Sequence, residues 1–255
     1  MNSIYTIKTI TNLHVGSGDI NFDIIDNQVQ KDNSKLPIIH GSSLKGALRE
    51  HFENKWGKNN EKINHIFGKE GDDGAGNYSF FEATILTLPL RSNVKPYFNV
   101  ISPLILQKFI ENLKLFDTNN QHLKELENFY NQIKNFKEDV IIFENINTDV
   151  YLEDYKAVVK QHIQFPSLFK NLAIVSDEIF LAIELPTIAR NALDDNGKSK
   201  NLWYEEIVPK EALFYTTIIK NDTYKEEFDK VLTNDIIQIG ANKSIGYGFC
   251  RFQRV

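Results

Sequence analysis

Apolar and polar residues alternate from Ser3 to Asn12, and the β-branched side chains among them predict a strand. Phe22 to Val29 reads as a second strand, bent at Asp26-Asn27. The period then becomes helical over 43–56 and 60–67, with Ser42 or Ser43 placed to cap the first helix. A Gly/Asp-rich loop from Gly68 to Asn77 separates these helices from a strand over Phe80 to Leu90. Ser102-Pro103 opens a helix that runs to about Leu115, with proline at its favoured first position. Another helix covers 120–138, and strands follow at Val140–Phe143, Phe180–Leu185 and Glu211–Ile219. The last stretch, Asp235 to Phe252, gives two strand-like pieces around the glycine loop Gly240–Gly248. Strands in groups with helices interposed predict an α+β fold, and no repeat or boundary divides the 255 residues.

Composition narrows the class. No apolar run is long enough to cross a bilayer and no secretory signal pattern opens the chain, so a cytoplasmic location is expected. The lone Cys250 excludes an internal disulfide and a cysteine-built zinc site. A net charge of -5 opposes autonomous, non-specific nucleic-acid binding but leaves room for a local basic track.

Several segments carry candidate chemistry. Ile38-Ile39-His40-Gly41-Ser42-Ser43-Leu44-Lys45-Gly46 runs from a strand through a small-residue turn into a helix with an early lysine. A cation there opposes the helix dipole unless an anion lies between it and the free N–H groups, as phosphate does at many helix starts. The other reading is a solvated lysine. The order of residues is not that of a nucleotide-triphosphate P-loop. Gly16-Ser17-Gly18 and Gly246-Tyr247-Gly248 suit either phosphate approach or plain tight turns.

Asp19, Asp23 and Asp26 form an acidic cluster; Asp26 suits either turn hydrogen bonding or general-base and metal chemistry at a phosphodiester. His14 lies beside Gly16, and no histidine spacing supports a helical metal site. Arg91, Lys95, Tyr97 and Phe98 put two cations and two aromatics directly after a strand, a mixture that fits phosphates and stacked bases or a solvated loop. Asp194-Asp195-Asn196-Gly197 is strong turn chemistry for a protruding hairpin between Arg190 and Tyr204.

Taken in order, these segments resemble one family. His14–Gly18, Ile25–Asp32, Ile39–Arg49, Ile66-Phe67-Gly68, Pro89–Ser92, Ser102-Pro103-Leu104, Leu202–Glu206 and Gln238–Gly248 are similar to the RAMP superfamily, in detail to the backbone subunit of the Cmr (type III-B) CRISPR effector complex. The resemblance spans nearly the whole chain. It implies a modified ferredoxin-like (RRM-type) core with helical finger insertions at about 43–70 and 103–138 and a thumb β-hairpin at about 186–204, all in a single domain over 1–255. It departs from the family near the C-terminus. Asn242-Lys243-Ser244 and Gly246-Tyr247-Gly248 stand where an acidic-threonine stretch and Gly-Arg-Gly are usual, with Lys243 or Arg251 to supply the charge.

By the same resemblance, copies stack along a CRISPR RNA and cut complementary target RNA at regular intervals. Partners then include further copies, the large polymerase-like subunit and the small helical subunit. Asp26 matches the catalytic aspartate, with His14 a weaker candidate for leaving-group protonation and Mg²⁺ or Mn²⁺ at Asp26 as the family's cofactor. Gly16, Ser17, Gly18, Gly41, Ser42, Ser43, Lys45, Arg49, Arg91, Arg190, Lys243, Gly246 and Gly248 are the expected RNA contacts. Two alternatives stay open: a non-cleaving guide scaffold, and a processing nuclease that acts alone.

Overall fold

The computed structural model describes residues 2–18, 25–69, 74–144, 146–160, 163 and 165–255. The chain runs β1 (Asn2–Thr9), β2 (Ile38–Ile39), α1 (Gly41–Trp56), α2 (Glu61–Phe67), β3 (Ser79–Phe80), β4 (Ala83–Arg91) and β5 (Tyr97–Ile101). Then come α3 (Pro103–Phe116), α4 (Leu123–Ile133), β6 (Val140–Ile142), β7 (Val150–Leu152), β8 (Tyr155–Val159), β9 (Leu172–Val175) and α5 (Asp177–Ala182). The last elements are β10 (Thr187–Leu193), β11 (Ser199–Glu206), β12 (Leu213–Ile219), α6 (Lys225–Asn234), β13 (Ile236–Gln238) and β14 (Phe249–Arg254).

Four antiparallel strands in the order β14-β1-β12-β4 form the centre of the large sheet. Numbered along the chain, that order is 4-1-3-2, the ferredoxin-like arrangement, with α1 and α6 as its two crossovers. Both helices cover one face, where Phe52 of α1 stacks on Phe228 of α6 at 4.8 Å, each ring wholly buried. Removing a ring at such a place costs about 3–5 kcal/mol. The opposite face receives α3: Phe109 packs on Tyr215 at 4.9 Å, and Thr217 Oγ1 donates to Asn112 Oδ1. Ser102 caps α3 as expected, its hydroxyl accepting from Ile105 N–H.

The stretch between β4 and β12 is the elaboration. It extends the sheet through β5-β9-β6-β8-β7 and then projects β10 and β11 as a separate two-stranded hairpin. The hairpin turn forms as its sequence demands: Asp194 Oδ1 accepts from Asn196 N and Lys198 N, and Gly197 takes φ +76°.

Several expectations need correction. Residues 180–185 are not a strand, because Ser176 caps α5 there and the chain after Ala182 is irregular. Of the 22–29 strand, 22–24 lie outside the described residues, and 25–29 make only single bridges at Asn27 and Val29. Neither Ser42 nor Ser43 caps α1: the helix starts at Gly41, and its N-cap His40 supplies no side-chain bond. Lys45 is therefore the fifth helical residue, one turn in. The stretch expected as a first helical insertion holds α1, which is the core's own crossover helix. The strands at 150–152, 155–159 and 172–175 went unpredicted.

Candidate nucleic-acid interface and catalytic aspartate

Asp26 lies on the surface at the root of the hairpin. Its Oδ2 accepts from the backbone N–H of Tyr204 on β11 at 2.7 Å. Its neighbour repeats the tie through backbone: Asn27 N donates to Tyr204 O, and Glu206 N donates to Asn27 O. The Asp26 loop thus runs alongside β11 and is held where the thumb leaves the body. Oδ1 of Asp26 has no partner among the described residues, so one carboxylate oxygen stays available. Asp19 and Asp23, the rest of the acidic cluster, lie outside the described residues.

Two adjacent acids on β11 hold this region from beneath, both almost wholly buried. The Glu206 carboxylate accepts from Val29 N at 3.1 Å and Lys31 Nζ at 2.6 Å. Glu205 takes Arg190 from the opposite hairpin strand at 3.1 Å, and Asn242 Nδ2 from the C-terminal loop at 2.5 Å. Buried carboxylates need such partners to repay lost hydration. Arg190 also lies over the rings of Trp203 and Tyr247, 5.9 and 5.7 Å from their centres. The thumb, the Asp26 loop and the C-terminal glycine loop are therefore joined through one strand end.

His14 sits behind this arrangement rather than at it. Its Nδ1 lies 2.7 Å from the Glu206 carbonyl oxygen, which can only accept, so Nδ1 is the donor of that bond. Nε2 then faces Glu205 at 3.6 Å, and the side chain is 6% exposed. An imidazole so enclosed offers no nitrogen to a departing oxygen. His14, expected as a weaker candidate for leaving-group protonation, is thus buried against the Glu205–Glu206 strand end, unlike the exposed Asp26.

Gln30 ties the glycine loop to α1. Its amide accepts from His40 N at 2.7 Å and donates to Gly16 O and to Ser43 Oγ. Ser17 N donates to Gln28 O, which closes the loop against the same segment. Gly41 is glycine for packing: a Cβ there would lie 2.5 Å from the Phe80 carbonyl oxygen. Gly18 and Gly246, by contrast, have open space around them at φ +79° and +84°. Lys45 is half-buried and forms no hydrogen bond or ion pair with another described residue. Ser42 is exposed beside it.

The expected RNA contacts thus divide. Gly16, Ser17, Ser43 and Arg190 join the network around Asp26 and Gln30. Arg49 is committed within the fold, bonding Glu53 at 2.7 Å and the Gly68 carbonyl at 3.2 Å. Arg91 lies elsewhere, 85% exposed and in a forked ion pair with Glu153 that raises its pKa further. Lys243, in a short 3-10 turn, pairs with Glu50 of α1 at 3.2 Å. Gly248 is held by close packing against the Ile239 backbone. Glu205, Glu206, Gln30 and Asn242 lie within the matched segments, but the sequence reading gave them no role. Two consecutive acids at a strand end returning to the core were the available signal.

No group of three or more His, Cys, Asp or Glu residues suited to a metal ion occurs among the described residues. Magnesium, however, is commonly held by one or two carboxylates together with substrate phosphates. An exposed aspartate whose Oδ1 has no partner among the described residues fits that manner of binding.

Comparison with known proteins agrees with this geometry. The RAMP superfamily model matches residues 6–251. A Pyrococcus furiosus protein named CRISPR system Cmr endoribonuclease Cmr4 is 30% identical, over 96% of this chain and 92% of its own length. A Saccharolobus solfataricus protein named CRISPR system CMR subunit Cmr4 is 24% identical over 96% of this chain and 93% of its own. Among solved structures, oligomeric Cmr4 from Pyrococcus furiosus superposes at a TM-score of 0.74 with 26% identity, covering 100% of this chain and 98% of that one. A chain of the type III-B Cmr-beta complex in its apo state superposes at 0.84 with 22% identity, covering 100% and 97%. By strand order, thumb hairpin and these likenesses together, the chain belongs to the RAMP superfamily and groups there with the Cmr4 proteins.

Proposed function

We propose that this chain is the repeated backbone subunit of a type III-B CRISPR effector: it stacks along a guide RNA and each copy cuts the paired target RNA beside its own thumb. Its partners are the guide, the target, further copies and the other Cmr subunits, among them the large polymerase-like and small helical ones. The observation that carries the reading is the Asp26 carboxylate, exposed and, among the described residues, bonded through one oxygen to the backbone of the thumb's return strand.

The chemistry follows from that position. A regular A-form duplex holds each ribose 2′-OH out of line with the adjacent phosphorus. A hairpin that displaces one nucleotide lets the 2′-oxygen swing opposite the 5′-oxygen of the next residue, and alignment of this kind supplies a large share of a rate. Asp26 accepts the 2′-OH proton as the oxygen attacks phosphorus; the 5′-oxygen leaves with its bonding pair and takes a proton from solvent water, giving a 2′,3′-cyclic phosphate and a 5′-hydroxyl. Tyr204 N–H keeps the carboxylate aimed. In the alternative role, Asp26 Oδ1 would hold Mg²⁺ or Mn²⁺ instead of taking the proton, and the ion would supply charge to offset that building on the phosphoryl oxygens. Lys45, one turn into α1, sits where it can meet a guide phosphate without reading sequence.

The test is single-turnover cleavage by a complex assembled with Asp26→Asn. The rate should fall by at least about 100-fold, as loss of a general base does, while guide binding is unchanged. Undiminished cleavage would contradict the assignment, and absence of cleavage by the wild type would favour a scaffold. The buried His14 disfavours a self-sufficient processing nuclease, which needs exposed acid–base groups.

A further inference from the structure

Strand register builds a second site on the sheet face that receives α3. Arg251 of β14 stands opposite Lys8 of β1, Lys8 opposite Leu213 of β12, and Leu213 opposite Thr87 of β4. Asn99 of β5, opposite Pro89, continues the same face. The segment before β9 closes one side, held by Asn99 Nδ2 donating to the Lys170 carbonyl at 3.2 Å. The result is a cavity of about 250 Å³ whose apolar lining includes Leu213, Leu168 and Phe169. None of its lining residues belongs to the Asp26 network.

Two independent features give it chemistry. The first is charge. Lys8 and Glu211 neutralise each other at 2.6 Å, with Tyr97 Oη also donating to Glu211 at 2.8 Å. The side chains of Arg251 and Lys170 form no hydrogen bond or ion pair with another described residue, so two positive charges at the cavity stay unbalanced in a chain of net charge -5. The second is an orphan. Asn99 Oδ1 is buried without a hydrogen-bond partner among the described residues, although its own Nδ2 is satisfied. Buried acceptors are paired in the great majority of cases, so this oxygen is left over for a donor.

Size selects among anions. At about 250 Å³ the cavity exceeds what phosphate alone fills and approaches the roughly 300 Å³ at which ordinary ligand pockets begin. We propose that this cavity binds a nucleotide phosphate monoester, with Arg251 and Lys170 on the dianion and Asn99 Oδ1 accepting from an N–H or O–H of the nucleoside. The guanidinium fork suits paired phosphate oxygens, and the apolar lining takes the flat body of a base. The monoester is carried either by a free mononucleotide or by the 5′ end of an RNA strand.

Titration calorimetry of the full chain with AMP, adenosine, inorganic phosphate and a 5′-phosphorylated dinucleotide tests this. AMP should bind one site per chain, at least tenfold more weakly to Arg251→Gln and to Lys170→Gln, with thermal unfolding of both variants matching wild type. Asp26→Ala should bind AMP as the wild type does, which separates this site from the cleavage centre. Tighter binding of the dinucleotide than of AMP assigns the RNA end; weaker binding assigns the free nucleotide. Inorganic phosphate or adenosine binding as tightly as AMP overturns the nucleotide assignment. No saturable AMP binding, or equal binding by both variants, overturns the site.

Discussion

Asp26 is tied to a backbone N–H that belongs to another element, and the segment that carries Asp26 is itself anchored to the glycine loop and to α1. Gln30 makes that anchor. Buried at 7% exposure, it bonds His40 N, Gly16 O and Ser43 Oγ at once. Truncation to alanine leaves these groups without their partner, and an unsatisfied buried polar group costs about 1–3 kcal/mol. Urea denaturation of Gln30→Ala should show a loss of that size, and Ser43→Ala a smaller one, since it removes a single bond. Equal midpoints for Gln30→Ala and wild type would show that the amide does not organise the loop.

At the scale of elements, ion pairs pin the ends of strands. The Arg91–Glu153 fork joins the end of β4 to the turn between β7 and β8. Hydrogen bonds from Arg91 hold the Glu153 carboxyl below the usual carboxylate range. A carboxyl whose folded pKa is depressed stabilises the fold above its unfolded pKa, and that contribution is lost as pH falls through the folded value. The difference in denaturation midpoint between wild type and Glu153→Gln should therefore be small but present at pH 7 and should close below about pH 4. A difference that grows on acidification would refute the pairing. The same fork occupies Arg91, so a phosphate drawn to it competes with Glu153.

At the scale of the whole molecule, the 4-1-3-2 sheet carries its crossover helices on one face and projects the thumb from the insertion before β12. The two-residue period of β1 and the capped, proline-led start of α3 were plain in the sequence, as was the Asp-Asn-Gly turn of the hairpin. The 180–185 segment misled because Phe, Leu and Ile in a short run fit a strand and a buried helix equally, and only Ser176 betrayed the cap. The start of α1 moved because Gly41 suits close contact with β3, which overrode the serine caps. Lys45 stood out as a cation early in a helix, whereas Asp26 was singled out by the family resemblance rather than by its own surroundings. Glu205, Glu206, Gln30 and Asn242 were not legible, since their importance lies in partners 10 to 192 residues away, as Gln30–His40 and Glu206–His14 show.

The central claim is that every copy uses its own Asp26 to cut beside its own thumb. Complexes assembled from mixtures of wild-type and Asp26→Ala chains test it most directly, read as the single-turnover yield of each target RNA fragment. The account predicts that every fragment falls in proportion to the fraction of Asp26→Ala chains, at unchanged spacing and with target binding within about twofold of wild type. A fragment pattern indifferent to that fraction would contradict it.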